Sequence, residues 1–220
     1  MPAPGRAVVA AAFYGTRDLL EQAIAALRAW PIEDDLARYE VTDPAALPVG
    51  AADRTLLSMH EQILGYALEY TASCTACGEL TSLPLGRSDV GEHAPRCAWC
   101  SPGIGAREPT YADLAAASGD ASALLARCSI GTGARLDDLA RIEGSLSGPL
   151  HSTCVGCGQA LVVDVDVMAL ALHAIGAVRG DIDREVHLIA SGYGWDLATI
   201  ESLPDDRRSR LATFVEMSLR

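Results

Sequence analysis

The chain contains no lysine: all 17 of its basic residues are arginine, set against 29 acids, for a formal net charge of −12 over 220 residues. With alanine and glycine abundant, the missing lysine reads as coding bias rather than chemistry. The acidic balance argues against a protein whose main task is gripping nucleic acid or an anionic membrane, because both need a basic field. Aromatic residues are only 5% of the chain, so stacking platforms are scarce. No apolar run is long enough to cross a bilayer. Arg6 with Ala7 to Tyr14 is too short and too weakly flanked for a signal peptide, and reads as a short buried strand in a cytoplasmic protein.

Catalytic signatures are missing as well. No G-x-x-x-x-G-K is present, no G-x-G-x-x-G follows a strand, and no G-x-S-x-G occurs. His60-Glu61 lacks the second histidine of a metalloprotease helix. Asp164 and Asp166 are spaced to share one face of a strand, and read as a solvated face rather than an acid/base pair. The expectation is a protein that is not an enzyme and has no small-molecule substrate.

What is present is half apolar residues, enough for a real core. Leu20, Ile24 and Leu27 make one stripe on a helix from Arg17 to Trp30, ended by Pro31. Glu33 to Ala52 reads as a connector. A second helix is expected from Asp53, as N-cap, to Ala72, with Leu56, Leu57, Ile63, Leu64 and Leu68 on its apolar face. Glu79 to Leu85 reads as a short strand, Gly86 to Pro109 as an irregular loop, and Tyr111–Ala117, Asp120–Cys128 and Leu136–Glu143 as short helices. Val163, Val165 and Val167 alternate with Asp164 and Asp166 in a strand over Gln159 to Val167. Helices over Met168–Val178, Asp183–Ser191, Trp195–Ser202 and Asp205–Leu219 close the chain. The expected fold is α+β and mostly helical. A small zinc-ribbon β element within 53–167 lies between an N-terminal helical and connector region, 1–52, and a C-terminal helical unit, 168–220.

Seven cysteines carry the chemistry. Six form three C-x2-C pairs: Cys74/Cys77, Cys97/Cys100 and Cys154/Cys157; Cys128 stands alone and reads as core. Paired spacing in a cytosolic chain points to metal before disulfide. Two knuckles supply the four thiolates of a closed tetrahedral Zn2+ site, which builds structure and does not catalyse. Cys74/Cys77 with Cys97/Cys100 has the zinc-ribbon spacing. Cys74/Cys77 with Cys154/Cys157 closes a longer loop at an extra cost of only about 1 kcal/mol, small against roughly 10–16 kcal/mol for a structural zinc site. Sequence distance therefore leaves both open. Local chemistry leans to the outer pairs, because each carries a glycine after its second cysteine and each feeds a strand; two such units could pair as a ribbon. His93 and His151 are near enough to a pair to replace a thiolate. His60, His173 and His187 read as ordinary helix residues.

The order of several short segments resembles a known family. Leu56-Leu57 to Leu68, then Cys74-x-x-Cys77-Gly78-Glu79, is similar to the leucine-rich helix and first knuckle of the baseplate and baseplate-hub assembly proteins of T-even-type contractile phage tails and phage-tail-like injection systems. Arg107-Glu108-Pro109-Thr110-Tyr111-Ala112-Asp113-Leu114 and Leu124-Leu125-Ala126-Arg127-Cys128 look like two further family segments. Cys154-x-x-Cys157-Gly158 looks like its second knuckle. Glu185-x-His187-Leu188-x-Ala190, Tyr193, Trp195, Ile200, Leu203, Arg207 and Arg208 look like its closing pattern. The resemblance covers residues 45–220, and the Cys97/Cys100 pair departs from it. It implies Cys74, Cys77, Cys154 and Cys157 as the zinc ligands; Cys97 and Cys100 stay the alternative pair on spacing alone. It also implies a structural or chaperone role in a baseplate, with hub or wedge proteins as partners and His187, Trp195, Arg207 and Arg208 on the docking surface. The competing reading is a zinc-ribbon/helix-turn-helix DNA-binding regulator, with Arg207, Arg208 and Arg210 as its basic cluster.

Overall fold

A computed structural model describes residues 17–94, 97–142 and 144–219. The strand expected near Ala7 to Tyr14 lies outside them. The chain divides into two compact units, Met1–Leu172 and His173–Arg220, and the fold is α+β and mostly helical.

The first unit opens with α1 (Arg17–Ala29), whose Leu20, Ile24 and Leu27 stripe is buried. The expected connector holds a short helix α2 (Glu33–Arg38), then a 3-10 turn Pro44–Ala46 capped by the Asp43 carboxylate. Helix α3 runs Val49–Leu64, starting after Pro48 and ending on Gly65 in the left-handed region at φ 78°. Two expectations are corrected here. Asp53 does not cap α3; it lies one turn inside it and is fully buried. The helix also stops before residue 72, because the chain turns at Gly65 and re-enters as strand β1 (Leu68–Ser73). The strand signal is the alternation of Leu68, Tyr70 and Ala72 with Glu69, Thr71 and Ser73.

Strand β1 pairs antiparallel with β2 (Leu80–Leu85), from Leu68↔Leu85 to Ser73↔Leu80. The expected irregular loop contains a hairpin of β3 (Cys97–Ser101) and β4 (Ile104–Arg107), turned at Gly103 with φ 75°. Helices α4 (Tyr111–Ala117) and α5 (Ala121–Cys128) follow, with a two-residue strand β5 (Ser129–Ile130) on the edge of β4, then α6 (Leu136–Arg141). Thr110 caps α4 in a reciprocal box with Asp113, and Asp120 caps α5 through its carboxylate. Strand β6 (Gly148–Thr153) pairs with β7 (Ala160–Val165), from Gly148↔Val165 to Thr153↔Ala160. The β1/β2 and β6/β7 hairpins therefore share one register, offset by 80 residues.

Leu57 of α3 packs with Leu68 of β1, Val165 of β7 and Val167, and Leu85, Leu150 and Val163 join the cluster. Both hairpins are thus rooted in one core. Their strands of six residues carry the opposite ends about 17 Å away. Asp166, expected on the strand face, instead follows β7 and accepts the Ala169 N–H at 2.9 Å, capping the next helix.

That helix, α7 (Val167–Tyr193), is continuous where the sequence suggests two; its later residues belong to the second unit. There it packs with α8 (Leu197–Glu201) and α9 (Asp205–Ser218) around Ile189, Ile200 and Ala212. A Cβ at Gly192 would lie 2.5 Å from Val215, so α7 and α9 approach closely only because that side chain is missing.

Candidate metal centre

Each outer C-x2-C pair occupies the turn of its own hairpin. The Cys74 N–H donates to the Glu79 carbonyl at 2.8 Å, and the Gly78 N–H donates to the Cys74 carbonyl at 2.8 Å. The second turn repeats this, with Cys154 N–H to Gln159 at 2.8 Å and Gly158 N–H to Cys154 at 2.9 Å. Gly78 and Gly158 sit at φ 77° and 72°, a conformation that a side chain disfavours. The glycine after each second cysteine is therefore part of the turn. The expectation that the knuckle strands pair with each other is corrected: each pairs with the strand preceding its own knuckle, and the two sheets are separate.

The two knuckles nevertheless face each other. The Cys74 and Cys157 sulfurs are 3.7 Å apart, those of Cys77 and Cys154 are 3.6 Å apart, and all four lie within 4.8 Å of one another. A tetrahedron of sulfurs about 2.3 Å from one ion has edges of about 3.8 Å. Cys74 and Cys154 are buried with Leu161, whereas Cys77 and Cys157 face solvent. The Val155 N–H reaches Thr81 Oγ1 at 3.5 Å, and a Cβ at Gly156 would meet Glu79 Cγ at 3.1 Å, so the turns are fitted to each other as well as to the centre.

Electrostatics separate the four sulfurs. Backbone N–H groups of Cys157 and Gly156 hold the Cys154 thiol down at about 6. The Glu79 N–H favours a thiolate at Cys77, but the adjacent Cys157, Cys154 and Cys74 sulfurs outweigh it and push Cys77 up to about 12. Four sulfurs this close cannot all be anionic without a cation among them, whereas a bound metal makes all four thiolates. Four cysteines so arranged could bind a metal, and they are the one such group among the described residues.

The other candidates fall elsewhere. Cys97 is exposed on β3, and Cys100 lies on the same strand where its register with β4 shifts, outside any turn of the knuckle type. Burial and the negative charge of Asp113 push the Cys128 thiol up to about 12, which suits an inert core residue. His151 is on β6 opposite Val162 and exposed; His93 is buried with its Nε2 2.9 Å from Glu108 Oε2. His60 is buried and packs edge-on to Tyr66. In the second unit His187 and Arg207 are exposed, Trp195 packs partly against the core, and Arg208 is buried in an ion pair with Glu185 at 3.0 Å. Arg210 pairs with Asp206 at 2.9 Å.

A supporting network escapes the sequence reading. Asp53 accepts hydrogen bonds from the Tyr111 hydroxyl at 2.7 Å, the Ser145 hydroxyl at 2.7 Å and the Leu146 N–H at 2.8 Å, tying α3 and α4 to the segment that feeds β6. Burial pushes its carboxyl above the usual range despite these donors. Asp113 takes Arg107 at 2.7 Å and Arg127 at 3.1 Å, joining β4, α4 and α5. Comparison with family models, with curated proteins and with solved structures finds no match for this chain.

Proposed function

We propose that this chain is a non-enzymatic, zinc-clamped protein of the baseplate of a contractile phage-tail-like injection system, acting as a structural subunit or as an assembly chaperone. The observation that carries the metal half is the sulfur cluster: two glycine-closed knuckles, 80 residues apart, with sulfurs at 3.6 and 3.7 Å. Four soft thiolate donors in a tetrahedron select zinc or iron, and a closed four-cysteine site without open position suits zinc in a structural role. Cys74, Cys77, Cys154 and Cys157 would hold the ion, which neutralises the thiolates and pins the tips of the two hairpins. Their roots already meet in the core, so the ion would close a cross-link from residue 74 to residue 157.

The baseplate half rests on the order of segments that resemble the family. In this chain those segments are physically linked: Arg107, Thr110, Asp113 and Arg127 form one interaction cluster, and Tyr111 reaches Asp53. His187, Trp195 and Arg207 would supply the docking surface for hub or wedge proteins. Arg208 contributes by holding α7 to α9, since its guanidinium is spent on Glu185. That use of Arg208 leaves the DNA-regulator reading with less of its basic cluster.

Two measurements test the proposal. Metal analysis of protein purified without chelator is expected to give one zinc per chain; iron, or well under one zinc, would overturn the zinc assignment. Quantitative mass spectrometry of purified contractile particles from the source organism is expected to find the chain at a fixed copy number if it is a subunit. If it is a chaperone, it should be absent from finished particles, with a deletion strain making baseplate proteins but no particles. Normal particles from the deletion strain would overturn the baseplate role.

A further inference from the structure

A second site lies away from the cysteines, where α2, α3 and the 3-10 turn Arg87–Asp89 meet. Three of the chain's 17 arginines, Arg38, Arg54 and Arg87, line one pocket there together with Tyr39, Ser58 and His93. In a chain of net charge −12 this convergence of positive charge needs a reason.

The arginines are only partly neutralised. Arg54 donates to three carbonyls, those of Gly50 at 2.7 Å, Gly91 at 2.9 Å and Gly144 at 3.0 Å. Arg87 donates to the Val90 carbonyl at 3.4 Å. Neither pairs with a carboxylate among the described residues. Arg38 has one, Glu92, in an exposed pair at 3.0 Å. The acids within reach of Arg54 are already engaged: Asp53 accepts three hydrogen bonds, and Glu108 takes the Gly50 N–H at 3.0 Å and faces His93. The Glu61 carboxylate accepts the backbone N–H of Arg87. Burial, and to a lesser degree the positive charge of Arg87, hold the Arg54 guanidinium below its usual value, although the nearby Asp53 and Glu108 carboxylates partly offset them. His93, with its side chain 1% exposed, lines the same pocket, and its Nδ1 has no hydrogen-bond partner among the described residues.

The pocket measures about 30 Å³. That is room for a few waters or one small polar group, and the pocket opens to solvent, so a larger molecule could present such a group to it. Three guanidinium groups arriving from three different elements offer donors from several directions. A tetrahedral phosphate uses such a set, whereas a planar carboxylate is satisfied by one arginine fork. We infer that this pocket binds a phosphate group, either the free ion or the terminal phosphoryl of a small molecule.

The test uses the full, metal-loaded chain, titrated with sodium phosphate against sodium chloride at matched ionic strength and followed by calorimetry and by thermal unfolding. Phosphate is expected to bind saturably in the sub-millimolar to millimolar range and to raise the unfolding temperature, and chloride to do neither. Arg87→Ala removes only an exposed side chain with one long bond, and should weaken phosphate binding at least tenfold with metal content unchanged. Arg38→Ala serves as a second variant if the first is poorly folded. O-phosphoserine binding more tightly than phosphate identifies a phosphoryl group on a larger molecule; the reverse identifies the free ion. No saturable phosphate signal, equal affinity in both variants, or acetate competing as well as phosphate would each overturn the inference. Metal content is read in the same samples, so a failure here is separable from a failure of the zinc assignment.

Discussion

Three hairpins in this chain carry a C-x2-C pair, and among the described residues two of them bring their pairs together into a candidate metal site. In β1/β2 and β6/β7 the pair is the turn, closed by Gly78 or Gly158 at positive φ, and the sulfurs of the two turns converge. In β3/β4 the pair lies along a strand, the turn belongs to Pro102-Gly103, and Cys97 faces solvent. The difference is the residue after the second cysteine: Gly78 and Gly158 let the chain fold back under the thiolates, whereas Ser101 continues the strand. Spacing alone does not make a knuckle. The hairpins also have different anchors, the knuckles rooted on Leu57 and Asp53, and β4 held by Arg107 to Asp113.

The comparison can be broken most sharply at the cysteines. Cys154→Ser should abolish stoichiometric metal binding and cost on the order of 5 kcal/mol in chemical denaturation. Asp53→Ala, far from the metal, should cost about 3 kcal/mol, because it removes the acceptor of three hydrogen bonds, two of them buried; hydrogen exchange should then rise in β6/β7 before it rises in β3/β4.

Acid separates the anchors next. Arg107 and the Thr110 donors overcome the burial penalty and hold the Asp113 carboxyl below its usual value. A depressed carboxylate stabilises the fold above its unfolded pKa, near 4, and that stabilisation is lost as pH falls through the lower folded value. The difference in urea midpoint between the natural chain and Asp113→Asn should therefore be constant above about pH 5 and shrink below about pH 4; a pH-independent difference would show that Asp113 is not charged in the fold.

Gly158→Ala should cost about 1 kcal/mol through its positive φ while keeping the metal, since nothing lies within 4 Å of the added Cβ. The smallest effect is expected at the third hairpin: Cys97→Ser should leave metal content and thermal midpoint unchanged. Loss of metal in that variant would move the ligand set and end the distinction drawn between the hairpins.

Local signals are legible in the amino-acid order. The stripe of α1, the strands at 80–85 and 160–165 and the short helices between them follow from periodicity and turn residues, whereas the one expected N-cap, Asp53, proved to be a buried residue inside its helix. Strand β1 is hidden because the leucines leading into it have helical spacing, which masks both the break at Gly65 and the alternation of Leu68, Tyr70 and Ala72 that follows. The β3/β4 hairpin is hidden because its strands are short and its glycines and proline mimic a loop.

Which residues are able to bind metal, and which turns present them, follows from the chain's own chemistry, since both depend on contacts within a few residues. Which two of the three pairs meet is a tertiary matter, because a difference of about 1 kcal/mol in loop closure does not choose between partners. The choice is made by Leu57, Leu68, Val165 and Val167, whose packing roots two hairpins of one register on a common core and brings their tips together. The arginine pocket is tertiary too: Arg38, Arg54 and Arg87 belong to three elements, and only their folding places three like charges around one cavity.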